Sequence, residues 1–340
     1  MTGDNYAASL EDIQAAQKRI APFAHVTSVQ TCSALNELAG GRQLFFKCEI
    51  FQRTGAFKFR GACNSVQLLS DEEAKKGVVT HSSGNHAAAL ALAAKLRGIP
   101  AHIVVPHTTP QCKVDAVRAY GGTLYFCEPT VDAREAKCAE VAATTGATLV
   151  PPYNYGPVIA GQGTIALEFL EQVPDLDALV VPVSGGGMIS GIALAAKALK
   201  PGIKIIAAEP GGTNGGADVA LSKMAGWVVP CAKPNTIADG LQGRLGDLTW
   251  PVVRDLVDCV VVVDEQEIVG AMRLIMERMK LVVEPSGAVG LAAVLSPAFG
   301  ASAQTRGCKR VGVVLCGGNV DLGARGLWDC WIPKSARRED

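Results

Sequence analysis

From Gly77 onward, short runs rich in Val, Ile and aromatic residues alternate with longer segments of helical period, and that alternation leaves few folds open. The strand-like runs GVVTHS (77–82), AHIVVP (101–106), TLYFCE (123–128) and ATLVPP (147–152) are separated by helix-like segments. These are HAAALALAAKLRG, closed by Gly98, then TPQCKVDAVRAYGG, with Pro110 near its start, and DAREAKCAEVAATTG. A second series runs TIALEFLEQV (helix), ALVVPV (strand), ISGIALAAKALK (helix), IKIIAAE (strand) and, after an irregular stretch, EQEIVGAMRLIMERMK (helix) and RVGVVLCGG (strand). Strands that run the same way need a crossover between them, and each helix supplies one, so the pattern predicts an α/β protein with mostly parallel sheets flanked by helices. Two lobes are expected, a smaller one at 77–157 inserted into a larger one made from 1–76 and 158–340.

A chain of 340 residues that is 49% hydrophobic can bury a large core, and its length suits two lobes better than one. Lys plus Arg and Asp plus Glu are equal at 32 each, so no net field draws a nucleic acid or an anionic membrane; a small neutral or zwitterionic ligand fits better. Eleven cysteines, odd in number and never set as CxxC, argue for reduced thiols in a cytosol-like compartment. The opening MTGDNYAASLEDIQAAQKRI has no basic head followed by an apolar run, so no secretion signal is expected and a cytoplasmic location is the default. Ala178 to Ala196 is charge-free and about as long as a membrane span, yet Pro182, Gly185, Gly186, Gly187 and Gly191 divide it into strand, loop and helix. The charged tail KSARRED is expected to fray.

In open α/β sheets ligands bind beyond the carboxyl ends of the strands. The residues placed there are Ser82-Ser83-Gly84-Asn85-His86, Asn154, Ser184-Gly185-Gly186-Gly187, Glu209 and Cys316-Gly317-Gly318-Asn319. The SGGGM loop follows a strand and opens a helix, so its backbone N–H groups and the positive helix end suit a phosphate. Two other readings stand beside that one: a tight turn between lobes, and a dinucleotide site using Gly185, Gly187, Gly191 and Glu209, although its spacing is one residue too long for G-x-G-x-x-G. In FQRTGAFKFRGA, Lys58 lies between Phe57 and Phe59. Either its head snorkels to water past the rings, or it is desolvated into a neutral amine able to form a Schiff base. Glu209 and Asp218 flank the irregular GGTNGGA segment, whose carbonyls could complete an oxygen site for a cation.

TGAFKFRGA, SSGNH and SGGGM, in that order and at these separations, resemble the serine/threonine dehydratase and serine racemase family of fold-type II pyridoxal phosphate enzymes. IAGQGTIALEF, AAEP, EPSGAVG and LCGGNVDL extend the likeness over nearly the whole chain. The resemblance implies the two-lobed, tryptophan synthase β-like fold, with pyridoxal phosphate carried on Lys58. It also implies cofactor contacts from Phe57, Asn85 (ring hydroxyl), Gly185, Gly186 and Gly187 (phosphate), Met188, Glu284, and Cys316 by the pyridine nitrogen. Gly61 and Ala62, at i+3 and i+4 from Lys58, would leave room for a flat ring on the same helix face. Two positions depart from the family pattern: Ser184 replaces the first of four glycines, and Cys316 stands where relatives commonly have Ser. A neutral thiol does not favour a protonated pyridine, which suits β-elimination and racemisation better than transamination.

By the same resemblance, Lys58 takes the α-proton of an amino acid on one face and Ser83 stands on the other, where dehydratase-only relatives typically carry Ala. The activity implied is interconversion of L- and D-serine with accompanying β-elimination to pyruvate and ammonia. Threonine/serine dehydration without racemisation is the neighbouring alternative, and hydroxyaspartate or aspartate are further candidate substrates. Ser83 could instead bond a loop amide. Ser82, Ser83, Asn85, His86, Arg134 and Asn154 are the implied substrate contacts, although His86 also suits a core or capping role and Arg134 a solvated helix face. Related enzymes bind Mg²⁺ or Ca²⁺ (Mn²⁺ in the same class) at Glu209, a carbonyl matching Gly216, and Asp218, in a loop about two residues longer here. Some are dimers activated by ATP at the subunit interface, so a homodimer and ATP as allosteric activator are carried as expectations. The chain ends soon after LCGGNVDLGARGLWDCW, which leaves no room for the regulatory domain of biosynthetic threonine dehydratases.

Overall fold

Among the described residues, ten short strands rich in Val, Ile and Leu alternate with Ala- and Leu-rich helices, and the strands assemble into two sheets. They are β1 (Val29–Gln30), β2 (Gln43–Cys48), β3 (Val78–His81), β4 (Ala101–Pro106), β5 (Thr123–Cys127), β6 (Thr148–Leu149), β7 (Ala178–Pro182), β8 (Lys204–Pro210), β9 (Cys259–Val263) and β10 (Arg310–Leu315). A computed structural model describes residues 6–321; the KSARRED tail lies outside the described residues. One sheet has the order β1-β2-β10-β7-β8-β9 and the other β5-β4-β3-β6. Every pairing is parallel except β1 with β2. The α/β, mostly parallel expectation therefore holds.

Strands with both faces covered are uniformly apolar. All five residues of β7 are buried, whereas edge strand β5 is buried only at Cys127. Two clusters sandwich the six-stranded sheet, one built on Phe169, Ile189 and Ile205 and the other on Phe46, Val289 and Phe299. The charge-free Ala178–Ala196 stretch resolves into β7, the glycine loop and the Gly187–Leu199 helix. Among the described residues no helix is long and apolar enough to cross a membrane, and the ten cysteines there are all free.

Three strands escaped the sequence reading: β2, β9 and the two-residue β1. β2 carries Lys47, which interrupts the apolar run QLFFKC yet is fully buried, and β9 (CVVVV) sits at a sheet edge inside the segment read as irregular. That segment also holds helices Asp218–Ala225 and Trp250–Leu256. The helix read from TIALEFLEQV starts eight residues earlier, at Gly156, and runs through IAGQG. Its glycines serve close approach and do not break the helix. A Cβ at Gly161 would lie 2.6 Å from Gly61 Cα, and one at Gly191 would overlap Ile159 O and lie 2.5 Å from Gly163 N. Helices Lys58–Leu68, Gly156–Gln172 and Gly187–Leu199 thus stack in turn, backbone to backbone, at these glycines.

Gly191→Ala should therefore cost on the order of 1–3 kcal/mol, because the methyl meets main chain that cannot step aside. Gly202→Ala, with nothing near its Cβ, should be neutral. Thermal unfolding of the two variants checks this.

Candidate active site

Lys58 is the first residue of its helix, and the segment before it is fastened to the strand end that carries Cys316. Phe57 N donates to Cys316 O at 3.0 Å, Ala56 bridges Gly317, and Gly318 N donates to Gly55 O at 2.9 Å. Thr54 takes a left-handed φ of 61°, and a Cβ on Gly55 would lie 2.5 Å from Asn319 Oδ1. Lys58 Nζ donates to Pro152 O at 2.7 Å and stands 5.0 Å from the Phe57 ring centre. Burial lowers its pKa from the usual lysine range to about 8, against the opposing pull of Cys316 and Glu284. Lys58 is half-buried, and its lowered pKa favours the desolvated reading of this lysine over the snorkelling one. Gly61, however, packs against Gln162 and Val158 O of the neighbouring helix, and Ala62 is fully buried. Their small size serves helix packing, so the expected room for a ring does not lie there.

The loop after β7 has the character of an anion cradle. Among the described residues the backbone N–H groups of Gly185, Gly186, Gly187 and Met188 donate to no acceptor, although all four residues are buried. Four orphaned amides at the head of a helix match a phosphate in both geometry and charge. Ser184, the departure from an all-glycine loop, turns its hydroxyl away to accept from Gly243 N at 2.8 Å. Thr249 Oγ1 donates to Gly185 O at 2.7 Å, and the Tyr153 ring fills the space a side chain at Gly185 would need. Neither Thr249 nor Tyr153 was singled out by the sequence, since each lies far along the chain from the loop it braces.

Asn85, at the start of the helix after β3, donates through Nδ2 to both oxygens of Glu284, at 3.0 and 3.1 Å, and accepts from Asn319 Nδ2 at 2.9 Å. Glu284 is buried, which raises its pKa to about 7, with the Asn85 hydrogen bonds acting the other way. The Cys316 thiol is pushed well up by burial and by Glu284, so it stays neutral. Phe57 packs against the cluster that includes Met188 and Cys316. An ion pair, Lys113 to Asp239 at 2.6 Å, joins a helix of the four-stranded sheet to the six-stranded side near Glu284.

The other expected residues divide. Ser82 Oγ accepts from Gly84 N at 3.4 Å, whereas the half-buried Ser83 hydroxyl makes no hydrogen bond among the described residues. His86 is buried, with Nε2 on Val150 O at 2.9 Å; burial, and then the charge of Lys58, lower its pKa to about 3, so it is a neutral imidazole. Asn154 is tied to the 246–248 turn, donating to Asp247 Oδ1 at 2.5 Å and accepting from Leu248 N. Arg134 bonds its own helix at Thr130 O and acts at a distance on His81. Glu209 and Asp218 are both buried; Glu209 accepts from Val219 N and Ala220 N at 2.8 Å, and Asp218 from Leu245 N at 3.1 Å. Neither makes an ion pair among the described residues.

Residues 20–317 match the model of the family described as pyridoxal-phosphate dependent enzyme. A serine racemase of Arabidopsis thaliana is 58% identical over 326 residues, 96% of this chain and 97% of its own length. The structure of maize serine racemase superposes with a TM-score of 0.92 at 54% identity, covering 96% of this chain and 97% of that one. The processed form of threonine deaminase isoform 2 from Solanum lycopersicum follows at 34% identity and a TM-score of 0.85, over 92% and 84% of the two chains.

An amine with this pKa is half neutral near pH 8. The rate at which cofactor-free protein captures an aldehyde at Lys58 should therefore rise with pH and level off above about 8, well below the ordinary lysine value of about 10.4. Borohydride trapping across pH, followed by peptide mapping, measures it.

Proposed function

The chain belongs to the pyridoxal-phosphate dependent enzymes, and on that footing we propose that it interconverts L- and D-serine and also eliminates water from serine to give pyruvate and ammonia. The residues fit the cofactor: Gly185 to Met188 offer four unused amides to its phosphate, Lys58 an amine of lowered pKa to its aldehyde, and Cys316 an uncharged thiol to its ring nitrogen. When bound, pyridoxal phosphate supplies an electrophilic carbon for amines and a conjugated ring that draws electron density from Cα. Asn85, held by Glu284 and Asn319, would lie beside the ring hydroxyl. The cluster formed by Phe57 and its neighbours excludes water.

Lys58 Nζ takes the α-proton of serine, and the Ser83 hydroxyl returns a proton from the opposite side, which inverts the centre. Loss of the β-hydroxyl after the same proton abstraction leads to pyruvate. The observation that carries the racemase reading is the uncommitted Ser83 hydroxyl: a serine serving only its loop would be engaged there, as Ser82 is. A divalent cation such as Mg²⁺ is proposed at Glu209, Asp218 and the Gly216 carbonyl, with water completing the shell. Support comes from the charge balance: burial, and Asp218 close by, raise the Glu209 pKa to about 8, and Asp218 is itself raised by burial.

Lys58→Ala should abolish both activities. Ser83→Ala should cut D-serine formation by about 100-fold or more while pyruvate release stays within about tenfold, since a positioned general acid contributes on that scale. Chiral chromatography and a pyruvate assay decide it; equal losses would reassign Ser83 to binding, and pyruvate without D-serine from the unaltered enzyme would leave a dehydratase.

The metal has its own signature. A carboxyl whose folded pKa is raised stabilises the protein at low pH and loses that contribution as pH climbs through about 8. Protons compete with the cation, so Mg²⁺ should raise Tm clearly above pH 8 and little near pH 6, and Asp218→Asn should remove the difference.

A further inference from the structure

The motif that carries Lys58 also carries an arginine that the reaction leaves unused. Arg60 is completely buried, as are Lys47 and Glu49, and Glu168 is 7% exposed. Arg60 grips two carboxylates with both edges of its guanidinium. Nε and Nη2 donate to Glu49 at 2.7 and 2.8 Å, and Nη1 and Nη2 to Glu168 at 2.6 and 2.8 Å. Nη1 also reaches Thr164 Oγ1 at 3.2 Å, so all five N–H groups are taken. Lys47 Nζ closes the far side of Glu168 at 2.8 Å and bonds Thr27 O and Gln172 Oε1. Two cations face two anions, and the cluster is neutral.

Such a cluster is a poor device for stability alone. Taking four charges out of water is costly, and apolar side chains of the same volume commonly serve a core as well or better. What charges in a forked, fully satisfied arrangement add is a single allowed geometry. Arg60 follows Lys58 by two residues on one helix, so the two side chains leave the axis roughly 200° apart. Glu49 lies just past β2 and Glu168 on the Gly156–Gln172 helix, so the two carboxylates come from separate elements outside the Lys58 helix. The Gly61–Gly161 contact fixes how closely the Lys58 helix approaches its neighbour, and the Phe57–Cys316 and Ala56–Gly317 bonds fix where it begins. Rotation about the helix axis is left to its side chains: Asn64 donates to Pro157 O at 2.7 Å and accepts from Arg19 at 2.6 Å one turn on, and Arg60 is the one placed beside Lys58.

We propose that Arg60 is a positioning residue: the buried Glu49–Arg60–Glu168–Lys47 quartet sets the rotation of the Lys58–Leu68 helix and so aims Lys58 Nζ. The inference rests on the reading of Lys58 as the reacting amine. Arg60→Lys keeps the charge but offers three donors, which cannot fork onto both carboxylates. Phe299→Leu, a buried change at a distant part of the core, serves as the control for lost stability.

Competitive acetylation of cofactor-free protein, read by peptide mapping, reports the pKa of the Lys58 amine without any activity assay. It should move in Arg60→Lys from about 8 toward the ordinary lysine range, because the amine swings out of its dry site. The cofactor-loaded variant should still give a reducible adduct at residue 58, with kcat lower by on the order of 100-fold and KM within about threefold, as for a small misplacement of a reacting group. A variant that loses only Tm, to the extent of Phe299→Leu, with labelling and kcat unchanged, would overturn the proposal. Should Arg60→Lys fail to fold, Glu49→Gln, which loosens one fork and keeps its shape, is judged by the same two measurements. Absence of any reducible adduct in the unaltered enzyme would instead sink the reading of Lys58 itself.

Discussion

The site depends first on the removal of one ammonium group from water. Lys58 has no carboxylate in hydrogen-bonding contact; its nitrogen rests on a main-chain carbonyl, and burial does the rest. Burial outweighs the pull of Cys316 and Glu284 and lowers its pKa to about 8, so a larger share of the amine is neutral than in water. Cys316 and His86 carry no charge, and Glu284 is close to half protonated at neutral pH. A formal anion at any of these places would draw a proton back onto Lys58. The anion the site does invite is kept at the glycine loop, where backbone dipoles and a helix end replace side-chain charge.

Much of this was legible in the chain because α/β folds deliver their chemistry to strand ends. Once GVVTHS, ALVVPV and RVGVVLCGG are read as strands, SSGNH, SGGGM and the Cys316 loop fall beside one another without a residue of structure known. Lys58 was recognisable through the ordered motifs shared with the family, since a lone lysine between two phenylalanines reads first as one that snorkels to water. The reading failed where one residue serves two periodicities. β2, with Lys47 inside its apolar run, was not read as a strand, and the helix was read only from TIALEFLEQV although the glycines of IAGQG mark helices in backbone contact.

Pairings between distant residues were invisible for a different reason. Asn85 with Glu284, Thr249 with Gly185 and Arg60 with Glu168 are separated by 199, 64 and 108 positions, and nothing in local pattern links them. Each becomes necessary only when the backbone has brought the partners together and a polar group would otherwise be buried alone. Arg60 is the plainest case. In the sequence it is a charged residue inside an apolar motif, and the two anions that account for it come from separate elements.

The contact between Asn85 and Glu284 joins the two sheets, one end standing after β3 and the other before the Pro285–Leu295 helix. Glu284 owes its high pKa to burial, which the hydrogen bonds from Asn85 oppose. Were the sheets to part, water would reach the carboxyl, its affinity for a proton would drop to that of an ordinary glutamate, and it would discharge. Exposing this carboxyl would then release a proton.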